Sequence, residues 1–158
     1  MSSFEKWILK KKNIWLEIFL FLITYGIYFI IWLIIRIKNS KYYEMTRNPE
    51  MYANKNNLRC IHSKVVGVSF KNEDGTSRQF NISKVKQNDE LKLVPYEYEP
   101  GEEALGVFHN NRQIGNISAD LCYEMIEKVK NSDIVIVIAT PTGGNGKTYG
   151  CNLTIITK

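Results

Sequence analysis

The sequence predicts an α+β protein: a small β-barrel-like domain with one inserted helix, carried behind a single transmembrane helix. Three observations predict it. An uncharged apolar run near the N-terminus has the length of a bilayer-spanning helix. Beyond it, short alternating or unbroken apolar segments recur between turn-forming residues, which is the pattern of short strands. One amphipathic segment with a four-residue apolar repeat interrupts them late in the chain.

Residues 1–13 are basic and amphipathic and are expected to lie at a water–lipid interface. Ile14 to Ile35, IWLEIFLFLITYGIYFIIWLII, is the expected transmembrane helix and the chain's contact with the lipid bilayer. From Ile18 to Ile35 eighteen residues carry no charge, and six of them are aromatic. A hydrocarbon core about 30 Å thick needs about 20 apolar residues in helical form. A soluble core helix would keep a polar stripe, and none is visible here. Trp15 and Trp32 stand about 25 Å apart along a helix, which suits one aromatic at each lipid boundary. Lys10, Lys11 and Lys12 precede the run, and Arg36, Lys38 and Lys41 follow it. The run exceeds the apolar core of a signal peptide, and no small-residue cleavage site follows, so an uncleaved anchor is expected. Four Lys/Arg on each side leave its orientation undecided. Residues 36–60 continue the helix and then act as a juxtamembrane linker, interrupted at Pro49.

The net charge of +5 is unevenly spread. Residues 1–59 hold ten Lys/Arg against four Glu, whereas residues 60–158 hold eleven against twelve Asp/Glu. The excess therefore flanks the membrane run and suits anionic headgroups. It is no basic patch on the folded domain.

The domain, residues 61–158, opens with HSKVVGVSF (His62–Phe70), whose alternation of Val66, Val68 and Phe70 with Gly67 and Ser69 predicts a strand. Asn72-Glu73-Asp74-Gly75 supplies a turn. Residues 81–88 read as a short helix or turn. Glu90–Tyr98 is a strand with Leu91 and Leu93 on one face, followed by the acidic loop Glu99-Pro100-Gly101-Glu102-Glu103. Ala104–Ile117 reads as a hairpin turning near Asn110-Asn111. Ser118 can cap a helix in which Leu121, Met125 and Val129 face inward. Ile134–Thr140 is a buried strand, and Cys151–Thr157 another.

Several chemistries are excluded on spacing. Cys60, Cys122 and Cys151 cannot all pair, and no Cys/His spacing predicts a metal site. The sequons at Asn81, Asn116 and Asn152 are what an Asn-rich chain produces by chance. Ile134–Thr148 imitates a phosphate-binding loop, ending in Gly146-Lys147-Thr148, but Pro141 stands where its first glycine belongs. The following residues read as a strand and not as the helix such a loop requires. A glycine-rich hairpin is expected instead. His62 and His109 are isolated, and Glu97, Glu99, Glu102 and Glu103 form a solvated acidic loop with no nucleophile beside it. No catalytic set, metal or cofactor is expected.

Three segments taken in order resemble the HIRAN domain: VVGVSF (Val65–Phe70), ELKLVPYEYEPGEEALGV (Glu90–Val107) and RQIGNISADLCYEM (Arg112–Met125). The resemblance covers residues 62–157. It implies an OB-like barrel that binds single-stranded DNA, or another nucleic acid, at a free 3′ end. Aromatic side chains would stack the terminal bases, and a carboxylate would receive the 3′-hydroxyl. On this chain Phe70 matches the first-strand aromatic, Glu102 stands at the loop carboxylate and Tyr149 at the late-strand aromatic. Lys147 and Arg112 are candidate phosphate contacts, and Asn116 follows the matching Ile114-Gly115. The chain departs from the family where Glu99-Pro100-Gly101-Glu102 replaces Asn-Pro-x-Asp, and where Asn116 replaces a His or Tyr. The expectation is a membrane-anchored, non-catalytic nucleic-acid module facing the cytoplasm, where free thiols and DNA both belong. The alternative is a tethered protein-interaction module that keeps the fold without nucleic-acid binding.

Overall fold

The computed structural model describes the backbone from Ser3 and the side chains from Ile18, in both cases to Lys158. The amphipathic character expected of residues 1–13, and the boundary position expected of Trp15, fall outside the described side chains. The chain forms two compact units, one ending at Tyr43 and the other spanning Glu44–Lys158.

The first unit is helix α1, which as an element runs Ser3–Arg47. From Ile18 it is long and apolar enough to cross a membrane, and none of its eighteen-residue apolar window is buried by the protein itself. Within the apolar run the Thr24 hydroxyl is internally satisfied, since Thr24 Oγ1 donates to Leu20 O at 2.7 Å. In hydrocarbon an unsatisfied hydroxyl would be costly, so this back-bond suits an apolar surrounding. At the basic end the Arg36 guanidinium lies 5.0 Å from the centre of the Trp32 ring.

The second unit begins earlier than residue 61. Asn48 ends α1 and caps a second helix, α2 (Pro49–Lys55), accepting from Met51 N at 3.1 Å. Pro49 occupies the first helical position, where its missing N–H is no loss. Tyr52 and Ala53 are buried, so the segment expected as a linker contributes packed residues.

The strands form two three-stranded antiparallel sheets. One contains β1 (Arg59–Lys64), β6 (Lys147–Thr157) and β5 (Ile134–Gly144), with β6 in the centre. The other contains β2 (Lys92–Glu99), β3 (Glu102–His109) and β4 (Arg112–Asn116), with β3 in the centre. Among the described residues no closed barrel is formed by continuous ladders. Isolated pairs bridge the two sheets, Val66 with Asn116 and Glu90 with Ile138. The three hairpins turn on residues with positive φ: Gly101 (83°) between β2 and β3, Asn110 (48°) and Asn111 (63°) between β3 and β4, Asn145 (52°) and Gly146 (84°) between β5 and β6. The loop resembling a phosphate-binding motif is thus a β-hairpin, with Lys147 paired to Gly144 in its ladder.

Helix α3 (Arg78–Ile82) and helix α4 (Ala119–Lys130) complete the unit. Met125 and Ile126 of α4 are buried, with Leu121, Cys122 and Val129 packed around them. They close a core of Val65, Ile82, Leu105, Val107, Ile114, Val137, Leu153 and Ile155. Ser118 is the N-cap residue of α4 by backbone geometry, although its side chain makes no capping hydrogen bond.

The strand expected at His62–Phe70 is corrected. The regular ladder lies one segment earlier, on Arg59–Lys64. At Val65 the chain changes partners: Val65 N donates to Cys151 O at 2.8 Å, and Val66 N to Asn116 O at 2.9 Å. Gly67 then turns at φ +67°. A Cβ there would sit 3.1 Å from Arg78 Nη1 and 3.3 Å from the Phe70 ring, so the turn needs glycine. The apolar alternation continues, but the chain has left the sheet.

Candidate nucleic-acid interface

The loop from Val66 to Thr76 and helix α3 are built around side chains bonded to backbone. Asn72 N donates to Thr76 O at 2.9 Å, and Asp74 accepts from Thr76 N at 2.9 Å and Thr76 Oγ1 at 2.6 Å. These hydrogen bonds from Thr76 stabilise the carboxylate and hold Asp74 below the usual carboxylate range. Ser77 caps α3, accepting from Phe80 N at 3.4 Å. Arg78 turns inward and is buried, donating from Nε to Asn72 Oδ1 at 2.7 Å and from Nη1 to Gly67 O at 3.1 Å. Its charge is spent on holding the loop and does not face solvent.

Gln79 joins this loop to β6, the central strand of the β1–β6–β5 sheet. Its Oε1 accepts from Tyr149 N at 2.8 Å, and its Nε2 donates to Tyr149 O at 2.9 Å and to Val68 O at 3.0 Å. Three exposed aromatics result on segments tied together by α3. Phe70 is 66% exposed, Phe80 54% and Tyr149 37%, exposures at which a ring can still offer a face to a ligand. The Tyr149 ring lies across Gly144, where a Cβ would come within 3.0 Å of Cε1. The Lys84 ammonium stands 4.9 Å from the centre of the Phe80 ring.

The sequence-expected residues fall into three places. Phe70 and Tyr149 belong to the α3 group, and Lys147 lies two residues before Tyr149 on β6. Arg112 is the first residue of β4, beside a cavity of about 360 Å³ that Asn81, Lys84, His109 and Asn110 also line. Asn116 and Glu102 lie elsewhere. Asn116 Oδ1 is occupied by Tyr96 Oη at 3.1 Å and Gln113 Nε2 at 2.8 Å, while its backbone makes the Val66 bridge. Glu102 opens β3 opposite Glu99 and makes no hydrogen bond or ion pair with Phe70 or Tyr149 among the described residues.

Asn116 does line a second hollow of about 560 Å³, walled by Tyr98, Ala104, Ile117, Tyr123 and Ile126. Tyr123, 81% exposed, stands at its edge. Glu103 beside it is paired with Lys130 at 2.9 Å, which holds the lysine proton more firmly than usual.

Sequence reasoning missed Gln79, Phe80 and Lys84. Ser77 as a helix cap ahead of Phe80 was the available signal. The Gln79–Tyr149 bonds span seventy positions and leave no local trace. Among the described residues no group of His, Cys, Asp or Glu has the geometry of a metal site. The three cysteines are free. No protein-family model, curated protein or solved structure matches this chain.

Proposed function

We propose that residues 44–158 form a non-catalytic module that binds single-stranded or 3′-ended nucleic acid, and that α1 anchors it in a lipid bilayer as a single span. The observation that carries this reading is the group Phe70, Phe80 and Tyr149, exposed on segments that α3 ties together. Base stacking on such rings is worth about 1–3 kcal/mol per base and tolerates any sequence. Lys84, Arg112 and Lys147 are the cations available for phosphates, though on a near-neutral unit they give a weaker salt dependence than a basic cleft.

The likeness of three ordered segments to the HIRAN domain supports the same reading. So does the bridging of the two sheets at Val66–Asn116 and Glu90–Ile138, which is how an OB-like barrel would be approached from two sheets. The end-recognition role of Glu102 rests on the resemblance alone. The bilayer reading rests on the length, apolarity and exposure of the Ile18–Arg47 stretch.

The test is fluorescence anisotropy of the full chain in neutral-lipid nanodiscs with labelled single-stranded oligonucleotides at two salt concentrations. Salt-sensitive binding that weakens in Phe70→Ala and Phe80→Ala is expected. Its absence with every oligonucleotide, together with capture of a defined protein through the Tyr98–Tyr123 hollow, would replace this reading with a tethered protein-interaction module.

A further inference from the structure

The apolar run of α1 carries no charged stripe, but its few polar atoms are not scattered. Between Ile18 and Ile35 the side chains with a nitrogen or oxygen are Thr24, Tyr25, Tyr28 and Trp32. At 3.6 residues per turn these four fall within about 100° of one another around the helix. Phe21 lies inside the same arc, its ring centre 4.1 Å from that of Tyr25. Phe21, Tyr25, Tyr28, Trp32 and Ile35 also follow one another at steps of four, three, four and three. That is the spacing by which two helices pack along a left-handed seam. Asn39 is the next step of four, and with Trp32 and Ile35 it walls a surface hollow of about 360 Å³ that extends the seam.

The two tyrosines have a need that the chain does not meet by itself. They stand about 2 Å either side of the middle of the uncharged run and about 10 Å from its nearer end, at 1.5 Å per residue. A hydrocarbon core about 30 Å thick leaves both phenols too deep to reach water. Their side chains are 61% and 69% exposed, so no other part of the described chain covers them. Thr24 satisfies its own hydroxyl on Leu20 O, whereas neither phenol makes a hydrogen bond among the described residues. An O–H without a partner in hydrocarbon is costly. Removing that cost takes a group at the same depth that both donates and accepts, and a phenol does both. A second copy inserted in the same orientation brings its own Tyr25 and Tyr28 to that depth. The basic residues flanking the run repel one another only outside the hydrocarbon, where salt screens them over about 8–10 Å.

We propose that α1 is a self-association surface: two copies of the chain pair in parallel along the Phe21–Tyr25–Tyr28–Trp32 face, and their Tyr25 and Tyr28 hydroxyls exchange hydrogen bonds across a two-fold axis. The proposal rests on the reading of α1 as a bilayer span. The far side of the helix, with Phe19, Ile23, Gly26 and Ile30, stays toward lipid. Gly26 is the one residue there that could admit a close backbone approach. Its neighbours at four residues, Leu22 and Ile30, are both large, so the paired small residues of such packing are missing. A pair along the tyrosine face delivers two copies of residues 44–158 to one place, and a ligand long enough to reach both is held by avidity.

The experiment mixes full chains labelled with a donor or an acceptor dye in neutral-lipid vesicles and follows energy transfer as lipid is added. Transfer that falls along a monomer–dimer curve on dilution is expected. Tyr25→Phe and Tyr28→Phe, which remove only a hydroxyl, are each expected to weaken the pair about three- to thirtyfold, the range for hydrogen bonds between membrane helices. Gly26→Leu, on the far side, is expected to leave it unchanged. Transfer indifferent to both phenylalanine variants would overturn the proposal, and so would a loss confined to Gly26→Leu. Extraction with alkaline carbonate separates the pairing from the reading it rests on. Protein that stays with the vesicles but shows no transfer overturns the pairing and leaves the span. Protein released by carbonate overturns the span and the pairing with it.

Discussion

Gln79 and Tyr149, seventy positions apart, are joined by a reciprocal pair of hydrogen bonds: the glutamine oxygen accepts from the tyrosine N–H at 2.8 Å, and its amide donates to the tyrosine C=O at 2.9 Å. A side chain here does what a neighbouring strand would do for β6. The third bond, to Val68 O, binds the loop carrying Phe70 to the same group. One amide thus fixes the mutual placement of two of the proposed stacking rings.

Gln79→Ala should therefore act on two levels. Three hydrogen bonds in a partly exposed place predict a loss of about 1–3 kcal/mol, measurable as a lower urea midpoint. Oligonucleotide affinity should fall further than that loss explains, because Phe70 and Tyr149 are no longer held in register. Unchanged affinity in a folded Gln79→Ala protein would separate the clamp from binding.

The aromatics themselves should behave as ligand contacts and not as core. Phe70→Ala and Phe80→Ala should leave the melting temperature within about 2–3 °C, since both side chains are more than half exposed. Each should weaken single-strand binding by a factor of about five to one hundred. A large drop in melting temperature with unaltered affinity would return them to a packing role.

Gly115 is held by space. A Cβ there would lie 2.3 Å from Val65 Cγ1 and 2.5 Å from the carbonyl oxygen of Val66. That carbonyl accepts from Asn116 N at 3.0 Å in the bridge between the sheets. Gly115→Ala must push the two segments apart, and the cost of such overpacking is about 1–3 kcal/mol. The change should lower the melting temperature, and it should appear in NMR spectra at Val66 and Asn116 ahead of residues near β5.

Cys151 sets an alkaline limit. The thiol is 2% exposed, and burial raises its pKa from the ordinary 9.0 to about 11. The folded form keeps a proton that the unfolded chain releases from pH 9 upward. Its contribution to stability is thus complete below pH 9 and is lost as the pH rises toward about 11. Stability followed by denaturant titration should fall across that window, and Cys151→Ala should flatten the fall. The same burial predicts slow reaction with thiol reagents at neutral pH until the protein unfolds. Labelling that reports which side of a membrane the unit occupies should accordingly use Cys122, which is only partly buried.

What could be read from the sequence was whatever has a local cause. The apolar run of α1, the Asn110-Asn111 turn, the inward stripe of α4 and the hairpin hidden in a phosphate-loop-like sequence all follow from neighbours within about ten positions. The misreading at Val65–Phe70 shows the limit. Its alternation has the period of a strand, but the partner on each side changes at Val65 and Gly67 reverses the chain. Helix α2 escaped because Pro49 reads equally as a break and as a first helical residue. The site was only half legible: Phe70 and Tyr149 could be named, whereas Gln79 and Phe80 acquire meaning only once β6 lies against α3.

The two sheets meet through two short junctions, Val66 with Asn116 and residues 88–91 with 137–139, which together make five backbone hydrogen bonds, whereas within each sheet whole ladders hold. Opening along those junctions gives up few backbone bonds, so local opening should occur there well before global unfolding. Among the hydrogen-bonded amides of the sheets and their junctions, exchange should be fastest at Val66, Leu91 and Asn116 and slowest along β6, which is flanked by a strand on each side. Mechanically the unit is a clasped pair of leaves, and a ligand seated across the clasp would be felt as slower exchange at both catches.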